Sequence, residues 1–559
     1  MHRRRRVAPV LAIALLCAAA ATAPGDGPAP PAGLSEPVYT DEVTERVEVE
    51  TPYGTIRGDV RRPVVPEGVE VPVILTYTPY SVLYASLAPT RTSRADDATG
   101  DFFVPRGYAR AVFDVVGTYG SGGCTDVGGL GERETAAAVV DHLGAQPWSN
   151  GRVGMIGASY DGTTAIAAAV EAPAHLVTVV PQVAIDRWYD YLFNDGVRMS
   201  FEDNATGLAD PPLNSPADYD TVYGVVPPYP DLAGDPAGVA AVLADHLQPC
   251  DRVENQQRGY GPDPVYDDFW LERDYRRLAR QVEASVLLEG AWLDDNVKHW
   301  ASTRFFEALP DETAEGLPFP KQLVIGQWSH STSRFADAQE LRHAWFDHFL
   351  LGLDTGVLDQ APVQTEANDG FRREEATWPP ASAVEEVHVL STEPPGPGVL
   401  GSDGAAASWI DVAPFQLEQQ LVSGHCACVR FDGPAVDEAV RIAGSPRLEL
   451  TATTDAASTH VTPVLLDVAP DGRARPFSRG LFNSNHRHGL DVVEPLVPGE
   501  PWSATIELWD VDHVLAPGHR LALVLASANA TWGIADETRA TTTLDLTATR
   551  FVLPVAALD

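Results

Sequence analysis

The run Gly154-Met155-Ile156-Gly157-Ala158-Ser159-Tyr160-Asp161-Gly162 constrains this chain more than any other stretch. Ahead of it, Trp148 to Val153 reads as a turn entering a short apolar strand; behind it, Thr163 to Val170 reads as an Ala-rich helix. A serine between strand and helix fits a nucleophile elbow, a sharp turn that strains the backbone and exposes the hydroxyl. Small residues flank such a serine because strand and helix approach closely there. Gly157 stands two before Ser159, but Asp161 occupies the position two after it, where glycine is expected, and Gly162 follows one place late. The pattern makes Ser159 a candidate nucleophile.

The surrounding sequence alternates strand-like and helix-like pieces from about residue 36 to 360. Val71 to Tyr77 and Tyr108 to Val116 are apolar, β-branched runs, and Glu132 to Leu143 has helical spacing, with Ala136, Val139, Val140 and Leu143 on one side. Val177 to Pro181, Ser285 to Gly290 and Gln322 to Gly326 read as further strands. This alternation predicts an α/β, doubly wound, mostly parallel sheet. Residues from about 187 to 280, rich in Pro, Asp, Tyr and Gly, break the rhythm and read as a cap inserted over the sheet. From about 381 to 559 short alternating runs recur between turn signals such as Pro470-Asp471-Gly472 and Pro517-Gly518. They predict a C-terminal β-sandwich or jelly roll. The 559 residues are too many for one core and suggest two or three domains.

Residues 1–25 differ in kind. Four consecutive arginines, Arg3 to Arg6, precede an Ala/Leu-rich run from Val7 to Ala21 and a small-residue stretch before a Pro/Gly-rich linker. This is a secretory signal pattern, and the expected location is extracellular. No other run is long and apolar enough for a membrane span, and Leu16 before Cys17 suits lipid anchoring poorly. An oxidising compartment allows a Cys124–Cys250 bridge, although spacing does not establish pairing. Cys426 and Cys428, with His425, lack zinc-site spacing and read as neighbouring strand residues. The formal charge of −39, from 78 acidic against 39 basic residues, argues against a nucleic-acid partner.

A serine needs a base to take its proton and an acid to orient the base. In a doubly wound hydrolase these follow in the order Ser, Asp, His, each from a loop at the carboxyl end of a later strand. After the strand ending at Gly290 the chain reads Ala291-Trp292-Leu293-Asp294-Asp295-Asn296-Val297-Lys298. After the strand ending at Gly326 it reads Gln327-Trp328-Ser329-His330. Asp294, with Asp295 as substitute, and His330 are therefore the expected acid and base. The tetrahedral intermediate needs fixed donors: the backbone N–H of Tyr160 is one, and the Tyr80 hydroxyl, on the loop after an early strand, is the candidate second. His343 and His348 lie in a helical stretch and read as packing or solvated residues. His486 and His488 are not expected to bind metal.

Together these residues resemble the Xaa-Pro dipeptidyl-peptidase family of serine peptidases and its relatives, the cocaine-esterase-like α/β-hydrolases. Gly157 to Gly162 is similar to the family's G-x-S-Y-x-G, Asp294 to Lys298 to its D-x-N-V-K segment, and Trp328-Ser329-His330 to its histidine loop. Arg342 to Leu350 resembles the helix closing the hydrolase domain, and Arg441 to Pro446 the start of a strand in the C-terminal jelly roll. Asp186 to Tyr191 is similar to a W-Y-D-Y segment whose aromatics, here Trp188, Tyr189 and Tyr191, shape a proline pocket. The resemblance implies that Asn296 helps hold the substrate's amino end, with Glu202 or Asp203 supplying the negative charge. One extra residue between Gly290 and Asp294, and the lack of a long N-terminal helical domain, depart from the family.

The expected substrate is a peptide with proline at its second position, with no metal or organic cofactor. The sequence does not set an oligomeric state. Two other functions remain open: an esterase or acylase using the same triad, and a carbohydrate-binding surface protein that stacks sugars on Trp502, Trp509 and Trp532.

Overall fold

The computed structural model describes residues 33–87, 93–200, 265–391, 398–401, 407–411, 416–534 and 538–558, with isolated helical positions between 236 and 244. The N-terminal leader, Glu202, Asp203 and Cys250 lie outside the described residues.

The first domain is built on a ten-stranded sheet. Its strands are β1 (Glu42–Thr51), β2 (Gly54–Pro63), β3 (Val71–Thr78), β4 (Ala109–Asp114), β5 (Ser149–Ala158), β6 (Leu176–Gln182), β7 (Ser285–Ala291), β8 (Lys321–Gly326), β9 (Val363–Glu366) and β10 (Arg372–Glu375). Their spatial order is β1-β2-β4-β3-β5-β6-β7-β8-β9-β10. The run from β4 through β9 is parallel; β1, β2 and β10 pair antiparallel at the edges.

Strand composition follows from burial on both faces. In β3, Val73 and Leu75 join the core under helices Leu130–Gly144 and Tyr160–Ala169, while Ile74 between them points to the opposite core. There it meets Val180, Leu287, Val324, and Trp345 and Phe346 of helix Ala338–Phe346. Side chains alternate faces along a strand, so a sheet covered on both sides reads as an unbroken apolar run rather than as alternation. The parallel strands, the elbow helix and the helix from Leu130 match the sequence expectation to within a few residues. The sheet also continues past the expected end at residue 360, adding β9 and β10.

Of the expected cap, the two ends are described: helix Trp188–Leu192 and helices Asp268–Glu272 and Tyr275–Leu278. Arg276 ties them together, donating to Asp186 at 2.5 and 2.9 Å and to Asp190 at 3.0 Å.

The C-terminal domain is dominated by β-strands. Arg447–Thr454 buries every second residue and pairs with Pro501–Glu507, Thr541–Asp545 and Arg550–Ala556. His460–Val468 and Arg520–Ala526 pair with each other and are buried on both faces, one of them covered by Leu421 of the short helix Glu418–Ser423. The two domains are joined through Arg441, which is fully buried, grips Asp512 at 2.8 and 2.9 Å and reaches Glu375 of β10 at 2.6 Å.

Several expectations change. Cys426 and Cys428 are joined to each other by a disulfide, so neither is a plain strand residue. Cys124 is disulfide-bonded. Trp502 and Trp509 are 7% and 2% exposed and belong to the interior, where Trp502 donates to Thr454 and Trp509 packs on Trp300; they offer no stacking surface for a sugar. As expected of a packing residue, His343 is buried against Ser35 and Asp347, and His486 is also buried. Among the described residues no group of His, Cys, Asp and Glu is arranged to hold a metal ion, and no helix is long and apolar enough to cross a membrane.

Candidate active site

Because β3 and β5 through β8 run parallel, their carboxyl ends share one rim, the usual position of ligand sites in open α/β sheets. Tyr80 follows β3, Ser159 follows β5, helix Trp188–Leu192 follows β6, Asp294 follows β7 and His330 follows β8. Residues separated by up to 250 positions in the chain therefore meet at one edge.

The elbow has the geometry its glycines require. Ser159 has φ 61° and ψ −126°, a conformation L-residues rarely adopt. A Cβ on Gly157 would come within 2.4 Å of the Asp161 Cβ, and one on Gly162 within 2.8 Å of the Gly157 carbonyl and 2.9 Å of the Gln182 amide. The close approach thus falls on positions 157 and 162, and Asp161 is tolerated because its side chain fills the space beside Gly157. Burial pushes the Asp161 carboxyl up to about 7, although Thr78 and Tyr84 hydrogen-bond to it.

Two contacts meet at the nucleophile position. The Tyr80 phenol donates to Ser159 Oγ at 3.3 Å, and the Tyr160 amide donates to the same phenolic oxygen at 3.4 Å. The Tyr160 side chain is directed away: its hydroxyl donates to Glu132 at 2.9 Å, and its ring meets Trp188 edge-on at 5.1 Å. Glu132 is fully buried, which raises its carboxyl to about 8 despite hydrogen bonds from the Gly128 amide and Tyr160.

On the other side, His330 Nδ1 lies 2.8 Å from Asp294 Oδ2. Asp294 is buried, and its second oxygen accepts the amides of Asn296 and Val297 at 2.9 and 3.0 Å. Burial alone would raise this carboxyl; His330, Lys298 and the Asn296 amide outweigh it and hold it below the ordinary aspartate value. For His330, burial pulls the imidazole down, but the Asp294 charge and hydrogen bond, with Asp295 behind them, hold it above its ordinary value. Ser159 Oγ takes its hydrogen bond from Tyr80, and no hydrogen bond joins it to His330 in this structure. Asp295 does not replace Asp294; among the described residues the imidazole bonds to Asp294 alone.

The aromatic segment divides in two. On a helix, positions three apart share a face. Trp188 and Tyr191 face the site, 5.9 Å apart, and Tyr191 donates to Asn296 Oδ1 at 3.0 Å. Tyr189 turns the other way, fully buried against Phe193, Tyr266 and Trp270, so it belongs to the packing beneath the cap.

Three ionisable groups supporting the site escaped the sequence reading. Glu289, inside β7, accepts Arg342 at 2.5 and 2.7 Å, Gln182 at 2.8 Å and the amide of Ser333 at 2.9 Å. It thereby braces the loop that carries His330. Lys298, 1% exposed, folds back over the Asp294 loop. Glu132 holds the Tyr160 phenol. The available signal was a charge inside an apolar run, Val286-Leu287-Leu288-Glu289-Gly290, since a buried charge demands a partner.

Comparison with known proteins places this arrangement. Residues 55–332 match the X-Pro dipeptidyl-peptidase (S15 family) domain, and residues 355–556 match the X-Pro dipeptidyl-peptidase C-terminal non-catalytic domain. Two relatives have names that propose an Xaa-Pro dipeptidyl-peptidase. The protein from Bacillus anthracis is 25% identical, covering 94% of this chain and 89% of its own. The one from Streptomyces avermitilis is 28% identical, covering 98% and 88%. In fold, the chain is similar to an aminopeptidase from a marine sediment archaeon, Thaumarchaeota archaeon (TM-score 0.71, 19% identity, 95% of this chain and 99% of that one). It is equally similar to a CocE/NonD family hydrolase from Staphylococcus aureus (TM-score 0.71, 17% identity, 93% and 94%). With both of its domains matched in order, the chain belongs to the X-Pro dipeptidyl-peptidase S15 family of serine hydrolases.

Proposed function

We propose that this chain removes Xaa-Pro dipeptides from peptide N-termini with Ser159 as nucleophile, His330 as base and Asp294 as orienting acid. The observation that carries the proposal is the convergence, at one sheet rim, of a strained Ser159 under the Tyr80 phenol and of a His330 imidazole bonded to a buried, ionised Asp294. Catalytic hydrogen bonds are often unformed without substrate and tighten in the Michaelis complex.

Ser159 attacks the carbonyl carbon after proline while His330 accepts its proton. Asp294 fixes the imidazole's tautomer and stabilises the imidazolium. The carbonyl oxygen becomes an oxyanion, which draws the Tyr80 hydroxyl and the Tyr160 amide onto itself. His330 then protonates the leaving amine, the C–N bond breaks, and an acyl-enzyme remains on Ser159. Water repeats the sequence, with His330 taking its proton and returning it to Ser159. Trp188 and Tyr191 offer aromatic edges to the proline ring, and Asn296, held by Tyr191, is positioned for the substrate's amino end. The leader pattern at residues 1–25 supports export of the chain.

The test is steady-state hydrolysis of Ala-Pro and Gly-Pro p-nitroanilides beside a short-chain p-nitrophenyl ester. Cleavage of the amides by the native chain, lost in S159A, is expected. Ester turnover with no amide cleavage would make the chain an esterase and overturn the proposal.

A further inference from the structure

We propose that Lys298 is a positioning residue through which the β domain holds the loop carrying Asp294, an inference that rests on Asp294 being the triad acid.

Lys298 is 1% exposed and has a backbone φ of 78°, unusual for a residue with a Cβ. The turn folds its ammonium back over its own loop, where Nζ donates to the carbonyl of Asp295 at 2.5 Å and of Asn296 at 2.8 Å. Asp294 Oδ1 grips the same loop from within, by accepting the amides of Asn296 and Val297. Ammonium and carboxylate thus fix the loop together, and the carboxylate's other oxygen is then directed at His330.

The far side of the ammonium belongs to the β domain. The Trp532 ring centre is 5.8 Å from Lys298 Nζ, and the same ring lies 4.5 Å from the Arg479 guanidinium and meets Trp509 edge-on at 5.0 Å. Arg479 is itself held by Glu418 at 2.6 and 3.2 Å. A cation on an indole face gains most where water is excluded. Among the described residues, the charged groups around Lys298 are Asp294 and Asp295 on its own loop and Arg479 from the β domain, with His299 its uncharged neighbour. Burial lowers His299 to about 4 and Lys298 to about 8, the latter against the pull of Asp294 and Asp295. Loss of the Lys298 proton weakens both carbonyl contacts and removes a positive charge that helps keep Asp294 ionised.

The experiment is kcat for Ala-Pro p-nitroanilide from about pH 6 to 10 in the full-length chain, K298M, W532A and D294N, with thermal melting as a check of folding. The native kcat is expected to fall on the alkaline side. K298M is expected to lose about 10- to 100-fold in kcat at neutral pH, the scale of a small misplacement in an active site, and to show no alkaline fall of its own. W532A opens the ammonium to water, so its alkaline limb moves upward while the acid limb set by His330 stays in place; this variant carries the test if K298M does not fold. A K298M enzyme with native kcat or an unchanged alkaline limb, or a W532A limb that does not move, overturns the inference. If D294N is inactive and K298M native-like, the Lys298 inference alone fails. If D294N retains full activity, the triad itself fails.

Discussion

The Tyr80 phenol donates to Ser159 Oγ at 3.3 Å and accepts the Tyr160 amide at 3.4 Å, so two donors already converge beside the proposed nucleophile before any substrate arrives. An oxyanion entering between them draws both donors off their present acceptors and onto itself. Y80F keeps the ring and removes one donor. It is expected to lower kcat by about 100- to 1,000-fold, the cost of one oxyanion-hole donor, with a much smaller change in KM. Steady-state kinetics on Ala-Pro p-nitroanilide checks both.

As the proposed base, His330 must be neutral to accept the Ser159 proton, and Asp294 holds its pKa above the ordinary value. Activity therefore falls as pH drops through that raised pKa. In D294N the negative charge is gone, so the imidazole protonates less readily and the acid limb moves to lower pH. The remaining rate is expected to be about 10,000-fold below native, the cost of losing tautomer control in a Ser-His-Asp triad. A kcat/KM profile against pH reads both effects.

Glu132 keeps its proton in the folded chain up to about pH 8, whereas an unperturbed glutamate releases it near 4.5. Across that window the folded state binds more protons than the unfolded state, so this group makes the fold progressively less stable as pH rises from 4.5 to about 8. E132Q is close in shape to the protonated acid and can still accept from Tyr160 and Gly128. It is expected to flatten this part of the stability–pH curve, measured by urea unfolding at pH 5 and pH 8.

The Glu289–Arg342 pair carries the histidine loop through the Ser333 amide. R342M leaves a buried carboxylate short of its cation, and such losses cost about 3–5 kcal/mol. The urea midpoint is expected to fall accordingly, and kcat with it, because Ser333 shares the loop with His330.

The parallel strands were legible because burial on both faces writes an unbroken apolar run, and Ser159, Asp294 and His330 because each follows a glycine-marked strand end or elbow. Strands β9 and β10 were not: Val363–Glu366 and Arg372–Glu375 are short and polar, and only their pairing with β8 and each other makes them sheet. Tyr189 was read with Trp188 and Tyr191 as one aromatic group, yet helical geometry turns it to the opposite side. The Cys426–Cys428 bridge joins residues two apart, a spacing that carries no pairing signal. Lys298 was read only as the end of a segment similar to the family's; its contact with Trp532, more than two hundred residues later, is not visible in the sequence. What the sequence hid was the set of long-range partners of single charged side chains.

The central claim is that Ser159 is the nucleophile, and covalent labelling tests it most directly. A fluorophosphonate probe, followed by mass mapping of the labelled peptide, is expected to modify Ser159 stoichiometrically, to abolish Ala-Pro amide cleavage in parallel, and to leave S159A unlabelled with turnover reduced about 1,000-fold or more. Labelling at another residue, or full activity with Ser159 modified, would contradict the account.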